Sequence, residues 1–412
     1  MIKRQKITFS LQLLDKQYIC IHEKWRSLYT CLLIFILTRP QLIIIDMNKF
    51  FSLISVLLCI CSCNQNKQAS SVNIVDIIYD SIQIDSVIID SIENNSFCGY
   101  SGVCKDSLYY FDELLSYFYK ISYDGHIGKR LLGLGNGPGE LPIRSAVGVA
   151  YSSKDNSLAV MGGNYDAYFY NDDTHIVEKL QMKPDNGDKK YSTSNSYTLW
   201  DETILINDGS YLYYNILGEN EQVNLFQNKD YFEKASIIMK VNIKEGGMTP
   251  MGKYSNYYVI NQDRIRHLPH IYFDVDNSNF YVSYQVDSLI YVFDNKFRPM
   301  CHFGFAGRGM VTDYTKSGSQ IESITNAFTS DNGRVGEYYW IKKCGKYIFR
   351  SYRKSGKAEK DGLQIYYEQK LISDIDVPHG FKVIGYIKPF FVTQISLDEE
   401  NNKMFFYRFK LE

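Results

Sequence analysis

The sequence contains no Gly-x-Ser-x-Gly elbow, no His-Glu-x-x-His pair and no Gly-x4-Gly-Lys-Ser/Thr loop. The familiar signatures of serine hydrolases, zinc peptidases and phosphate-loop nucleotide enzymes are therefore missing. It has no charge surplus either. The 45 Lys and Arg stand against 46 Asp and Glu, a formal net charge of -1, which argues against the basic footprint of a nucleic-acid binder. The apolar run near the N-terminus stops after about a dozen residues, short of the roughly 20 that a membrane-crossing helix needs. No strand-helix-strand alternation of the kind that builds a doubly wound sheet occurs. What the chain does hold is aromatic residues, 35 Tyr and 24 Phe, a bias toward β-sheet.

The first 63 residues differ in kind from the rest. From Met47 the text is "MNKFFSLISVLLCICSC", a basic residue, a short apolar core and small residues, which is the plan of a bacterial secretion signal. Ile60-Cys61-Ser62-Cys63 resembles a lipobox, in which the last cysteine is diacylated and becomes the mature N-terminus. Residues 1–46 then read as lying upstream of the true start, 47–62 as a lipoprotein signal, 63–73 as lipidated Cys63 and a polar tether, and 74–412 as one folded domain. Residues 1–63 hold 8 of the Lys and Arg and 3 of the Asp and Glu, so the remainder carries -6. Four cysteines follow Cys63, at 98, 104, 301 and 344, in no zinc-site spacing. Cys98 and Cys104 flank "GYSGV" closely enough for a disulfide across a turn in an exported chain, with isolated buried thiols as the alternative reading.

Strands and turns fill the rest. Two-residue and three-residue turn signals recur at Asp124-Gly125, Asn171-Asp172-Asp173, Asn207-Asp208-Gly209, Asp276-Asn277 and Asp294-Asn295, with aromatic or β-branched runs between them. One helix is expected, over 317–328. An internal echo sets the architecture. Leu108–Asp112, Tyr117–Ile121, Asp124-Gly125 and Gly133–Gly135 match, in order and spacing, Phe280–Val282, Ser288–Asp294 and Gly304 to Gly309. A four-stranded unit of about 40–50 residues is a propeller blade. Dividing the folded domain by that period predicts an all-β, six-bladed propeller of four-stranded antiparallel blades, with seven blades as the alternative. Strands near 73–97 are expected to complete the last blade with 381–412 and so remove open sheet edges.

"Gly133-Leu134-Gly135-Asn136-Gly137-Pro138-Gly139-Glu140" closes the first copy of the echo. With Glu140 where a phosphate loop has its lysine, and Pro142 in place of a helix start, the stretch reads as a connection between blades rather than an anion cradle. It resembles the G-x-G-x-G-P-G-E signature of the TolB-like or NHL-like six-bladed propeller lipoproteins of Bacteroides-type bacteria. That resemblance spans 63–412 and implies a fold and an envelope location, without implying an activity. The residues after Cys63, Asn64-Gln65-Asn66-Lys67, lack the acids found at that place in many surface-exposed lipoproteins of these bacteria, which tilts the expectation to the periplasmic face.

Among candidate sites, "Arg264-Ile265-Arg266-His267-Leu268-Pro269-His270" is the densest polar cluster. Two guanidinium forks suit a carboxylate or sulfate, so Arg264, Arg266, His267 and His270 are the ligand-binding candidates, against the plainer reading of an exposed loop between blades. The histidine pair lacks a third ligand at metal-site spacing, and neither metal nor cofactor is expected. The basic run Arg350–Lys357 reads as a solvated hairpin. Tyrosine-rich strands suit sheet packing and also the stacking of sugar rings. The function expected from all this is binding or scaffolding of an envelope glycan, peptide or protein partner by a membrane-anchored propeller, with an envelope enzyme acting on glycans or other anionic substrates as the alternative.

Overall fold

The computed structural model describes residues 70–71, 74–92, 95–143, 145–163, 166–184, 197–198, 203–218 and 223–411. The signal segment, Cys63 and residues 64–69 lie outside the described residues.

Among the described residues six large antiparallel sheets follow one another along the chain, beside a two-stranded ladder of Tyr197–Thr198 with Leu217–Gly218. Their innermost strands are Gly99–Cys104, Ala146–Ser152, Leu205–Asn207, Ile271–Asp276, Glu337–Cys344 and Val383–Ile387. These open blades one to six of a β-propeller, the architecture expected from the repeat. The echo is in phase with the blades. Ser107–Asp112 and Asn279–Tyr284 are second strands, and Phe118–Ile121 and Ile290–Phe293 are third strands. The fourth position of blade one is only an isolated bridge between Ile121 and Ile127. At several of the predicted turns an Asp or Asn at the strand end accepts the backbone N–H groups that follow. Asp208 takes those of Ser210 and Tyr211 at 2.8 and 2.7 Å, and Asp294 those of Lys296 and Arg298, both at 2.9 Å.

Blade sheets are sandwiched between neighbours, so their strands are buried on both faces. Ser107–Asp112, for example, is buried from Leu108 onward. The core is accordingly a series of wedges between blades. Phe349 of blade five packs on Phe391 and Phe409 of blade six, with ring centroids 4.8 and 5.8 Å apart. Burying one such ring contributes about 2–3 kcal/mol. Tyrosine serves the same wedges while its hydroxyl finds a carbonyl on the next blade. Tyr100 and Tyr109 of blade one donate to Ala146 and Val149 of blade two at 2.8 and 3.3 Å.

The ring closes as expected. Ile84–Ile88 pairs antiparallel with Lys403–Phe409, setting Val87 opposite Phe406. Before that strand the chain runs along the outside of two other blades. Ser70–Ser71 pairs in parallel with Cys301 and His302 of blade four, and Ile74–Val75 with Lys370 and Leu371 of blade five. This strap covers two otherwise open sheet edges.

The described helices lie within blade three, between its second and third strands, and in the connections leading to blades four and five. They are α1 (Tyr231–Lys234), α2 (Asn256–Ile260), α3 (Gln262–Ile265) and α4 (Ile321–Asp331), the last overlapping the expected helix but starting and ending later. Ile324, Ala327 and Asp331 form its inward stripe at helical spacing. No described helix is long and apolar enough to cross a membrane.

Two expectations need correction. Cys98 and Cys104 are not joined, and both thiols are free. "GYSGV" is the inner strand of blade one rather than a turn, and six extended residues separate the cysteines by about 20 Å, far beyond disulfide reach. Arg350 does not belong to a solvated hairpin. It lies in the second strand of blade five, Tyr347–Arg353, and is fully buried.

Candidate functional site

Each inner strand pairs only with the strand outside it, leaving its other edge turned to the ring axis. The six edges surround a cavity of about 960 Å³ to which every blade contributes. Its charged lining is uneven. Lys342, Lys343, Lys346 and Lys382 face a single carboxylate among the described residues, Asp274.

Local sequence explains the placement. The stretch Trp340-Ile341-Lys342-Lys343-Cys344-Gly345-Lys346 ends the inner strand of blade five and turns at Gly345, whose φ of 57° suits a residue without Cβ. The turn therefore presents its lysines at one end of the channel. Asp274, on the inner strand of blade four, is buried and accepts the Lys342 ammonium at 3.1 Å through Oδ1 and the Lys343 backbone N–H at 2.8 Å through Oδ2. Burial alone would lower the Lys342 pKa, but Asp274 more than offsets this and holds it above its ordinary value. Burial pushes the Cys344 thiol up to about 12, so it stays protonated and unreactive at neutral pH. Lys343 lies 3.7 Å from Asp276, and Lys346 lies 2.9 Å from Glu368. Lys382 stands 5.6 Å above the Trp340 ring. The Trp340 indole is fixed by donating to the Val383 carbonyl at 2.6 Å. Tyr347, Tyr367 and Tyr386 complete an aromatic rim, and Tyr386 is exposed.

The residues singled out from sequence lie elsewhere. None of Arg264, Arg266, His267 and His270 lines the cavity. They do not form one exposed loop either. Arg264 is exposed on α3, whereas Arg266 and His267 are buried. Arg266 is committed internally, donating to the carbonyls of Leu225, Asn228 and Lys229 at 2.6, 2.8 and 3.1 Å and to Gln262 Oε1 at 3.1 Å. His267 Nε2 lies 2.8 Å from Asp331 Oδ2 of α4. His270 is half-buried, its backbone N–H donating to Gln285 Oε1 at 3.1 Å. A ligand could reach Arg264 but not the two buried groups.

The glycine stretch has a defined role. Gly133 and Leu141 are tied by a 2.8 Å backbone bond, and Gly135 donates back to Leu141 at 3.1 Å. The Glu140 carboxylate folds over the loop and accepts the Gly137 N–H at 2.8 Å. A Cβ on Gly135 would lie 2.0 Å from Glu140 Oε2, so a side chain there would push the Glu140 carboxylate off the loop. Gly139 has φ 71°, and Pro138 is exposed at the corner. The concavity that resembled an anion cradle is occupied by the loop's own acid, between blades one and two.

Sequence reasoning missed the channel lysines. Their one signal was the adjacent pair Lys342-Lys343 in a strand otherwise built for burial, followed by a glycine turn and a third lysine.

No family model matches the chain, and no curated protein sequence does. Solved structures do resemble it. A member of the DUF4221 family from Bacteroides vulgatus aligns over 82% of this chain and 99% of its own, at 12% identity and a TM-score of 0.57. A protein of Bacteroides fragilis described as exported aligns over 83% of this chain and 100% of its own, at 10% identity and a TM-score of 0.50. At these identities the likeness concerns the fold.

Proposed function

We propose that this protein is a lipid-anchored β-propeller of the cell envelope, of the TolB-like or NHL-like kind, that binds a glycan, peptide or protein partner in its channel without transforming it. The observation that carries the reading is the channel itself: an open cavity ringed by all six blades and lined by four lysines and an aromatic rim. The one lining carboxylate among the described residues, Asp274, is already engaged by Lys342 and Lys343, which suits retention of a ligand better than proton transfer to it. The rival reading of an envelope enzyme needed Arg264, Arg266, His267 and His270 to converge on a substrate, and two of the four are spent on internal bonds.

Envelope attachment is supported by the lipobox-like run ending at Cys63 and by the described exported state of one structural relative. The strap at Ser70–Ser71 lies on the outer edge of blade four. Six residues, 64–69, separate Cys63 from this strap. The neutral and basic residues after Cys63 favour the periplasmic face. Mass spectrometry of the mature N-terminus tests the anchor. A diacylated cysteine at 63 is expected, and an unmodified Cys63 or a mature N-terminus elsewhere overturns it.

A further inference from the structure

We infer that the channel end built around the Cys344–Lys346 turn is a binding site for an anionic oligosaccharide bearing carboxylate or sulfate groups. This rests on reading the channel as the place of binding and adds the ligand class.

The first argument is charge. The chain is close to neutral, yet among the described residues this concave site gathers four ammonium groups against one lining carboxylate. Asp276 and Glu368, the partners of Lys343 and Lys346, do not line the cavity. They position the side chains, and an ammonium with three donors keeps capacity for a ligand oxygen after one such contact. Walls of low dielectric concentrate the field of such groups inside a cleft.

Chemistry of the rim is the second. Charge alone suits any anion, but aromatic faces stand among the lysines: Trp340 beneath Lys382, Tyr367 5.5 Å beneath Lys346, and exposed Tyr386. An aromatic face offers apolar area to the C–H face of a sugar ring while adjacent cations meet its acidic substituents. The inward edges of the strands add backbone N–H and C=O groups suited to sugar hydroxyls. Gly345 leaves open space at the turn, with nothing within 4 Å of where a Cβ would point.

Size is the third. About 960 Å³ lies at the upper end of ordinary small-ligand pockets, of order 300–1,000 Å³, so the site fits a few sugar rings rather than a folded partner.

The test is calorimetric titration of the mature chain with three probes: a chondroitin sulfate tetrasaccharide, neutral maltotetraose and tetraglutamate. The sulfated tetrasaccharide is expected to bind, and to bind several-fold more weakly as salt rises from about 50 to about 300 mM. Lys346→Ala and Tyr386→Ala, both at exposed positions, are each expected to weaken it about 10-fold with an unchanged melting temperature. Lys179→Ala, on the outer strand of blade two, is expected to change nothing. Equal binding of maltotetraose, preference for tetraglutamate, or indifference to both rim substitutions overturns the inference. Absence of binding to all three probes also overturns it, while the mass of the N-terminal cysteine separately decides the anchored-propeller reading.

Discussion

The guanidinium carbon of Arg350 lies 3.3 Å from the centre of the Tyr338 ring, within blade five. The same group reaches across to blade four, where Nε donates to Ser283 Oγ at 2.8 Å, Nη1 to the Ser288 carbonyl at 2.7 Å and Nη2 to the Asp287 carbonyl. A single buried fork thus joins two blades through three oxygens.

Removing the fork leaves those acceptors unpaired in a dry interface. Arg350→Ala is expected to cost about 3–5 kcal/mol. Arg350→Lys should recover only part of it, because an ammonium cannot span the same acceptors. Urea unfolding with an unchanged m-value checks this, and a loss within the noise for the alanine variant refutes the staple.

The buried His267–Asp331 pair predicts acid sensitivity. Burial holds His267 below its ordinary pKa even though Asp331 pulls it up. Burial would raise Asp331, yet bonds from Thr315, Arg334 and His267 leave it lowered. The neutral ring donates from Nε2. A histidine with a depressed folded value takes up its proton more readily when unfolded, so stability is lost as pH falls below about 6.5. The lowered Asp331 adds a further loss as pH falls below about 3.9. Exposed His126, raised first by its hydrogen bond to Asp90, acts in the opposite sense but is screened by solvent. The melting temperature is therefore expected to drop from pH 7 to pH 5. His267→Gln, which can keep the bond without titrating, should flatten that slope, and an unchanged slope contradicts the assignment.

Closure of the ring depends on Val87 meeting Phe406, both buried. Val87→Asp places a charge between blades six and one and is expected to cost about 3 kcal/mol or more. Because the blades share one closed ring, unfolding should remain a single transition at lower temperature. A second transition, with blade six melting alone, would show that the seam is not what holds the ring.

Thiol labelling separates the two cysteines of blade one. Cys98 is exposed, while Cys104 is buried and its thiol is raised by that burial. Under native conditions maleimide is expected to modify Cys98 rapidly and Cys104 only after unfolding, with no gain in free thiol on reduction.

Much of the fold was legible because its determinants are local. Asp208 and Asp294 close their turns with bonds to residues two to four positions on, so the turn signals were sufficient. The echo between 108–135 and 280–309 works for the same reason, since second and third strands repeat with their turns. What escaped depends on partners distant in sequence. Arg350 looked like part of a charged surface run, and its hydrogen-bond acceptors, which make its burial tolerable, lie more than 60 positions away. Arg266 and His267 looked available for ligands, and their partners at 225–229 and 331 are equally invisible to spacing. Lys342, Lys343 and Lys346 share one local stretch of blade five, but that they and Lys382 of blade six face a common channel follows from the packing of the inner strands, which spacing does not show.

Hydrogen–deuterium exchange of the mature chain, with and without the chondroitin sulfate tetrasaccharide, tests the central claim most directly. Binding in the channel predicts slowed exchange in the inner strand and turn of blade five, 340–347, and around 383–391 of blade six. Protection confined to the outer strands, or to α2, α3 and α4, would place the ligand outside the channel and contradict the account.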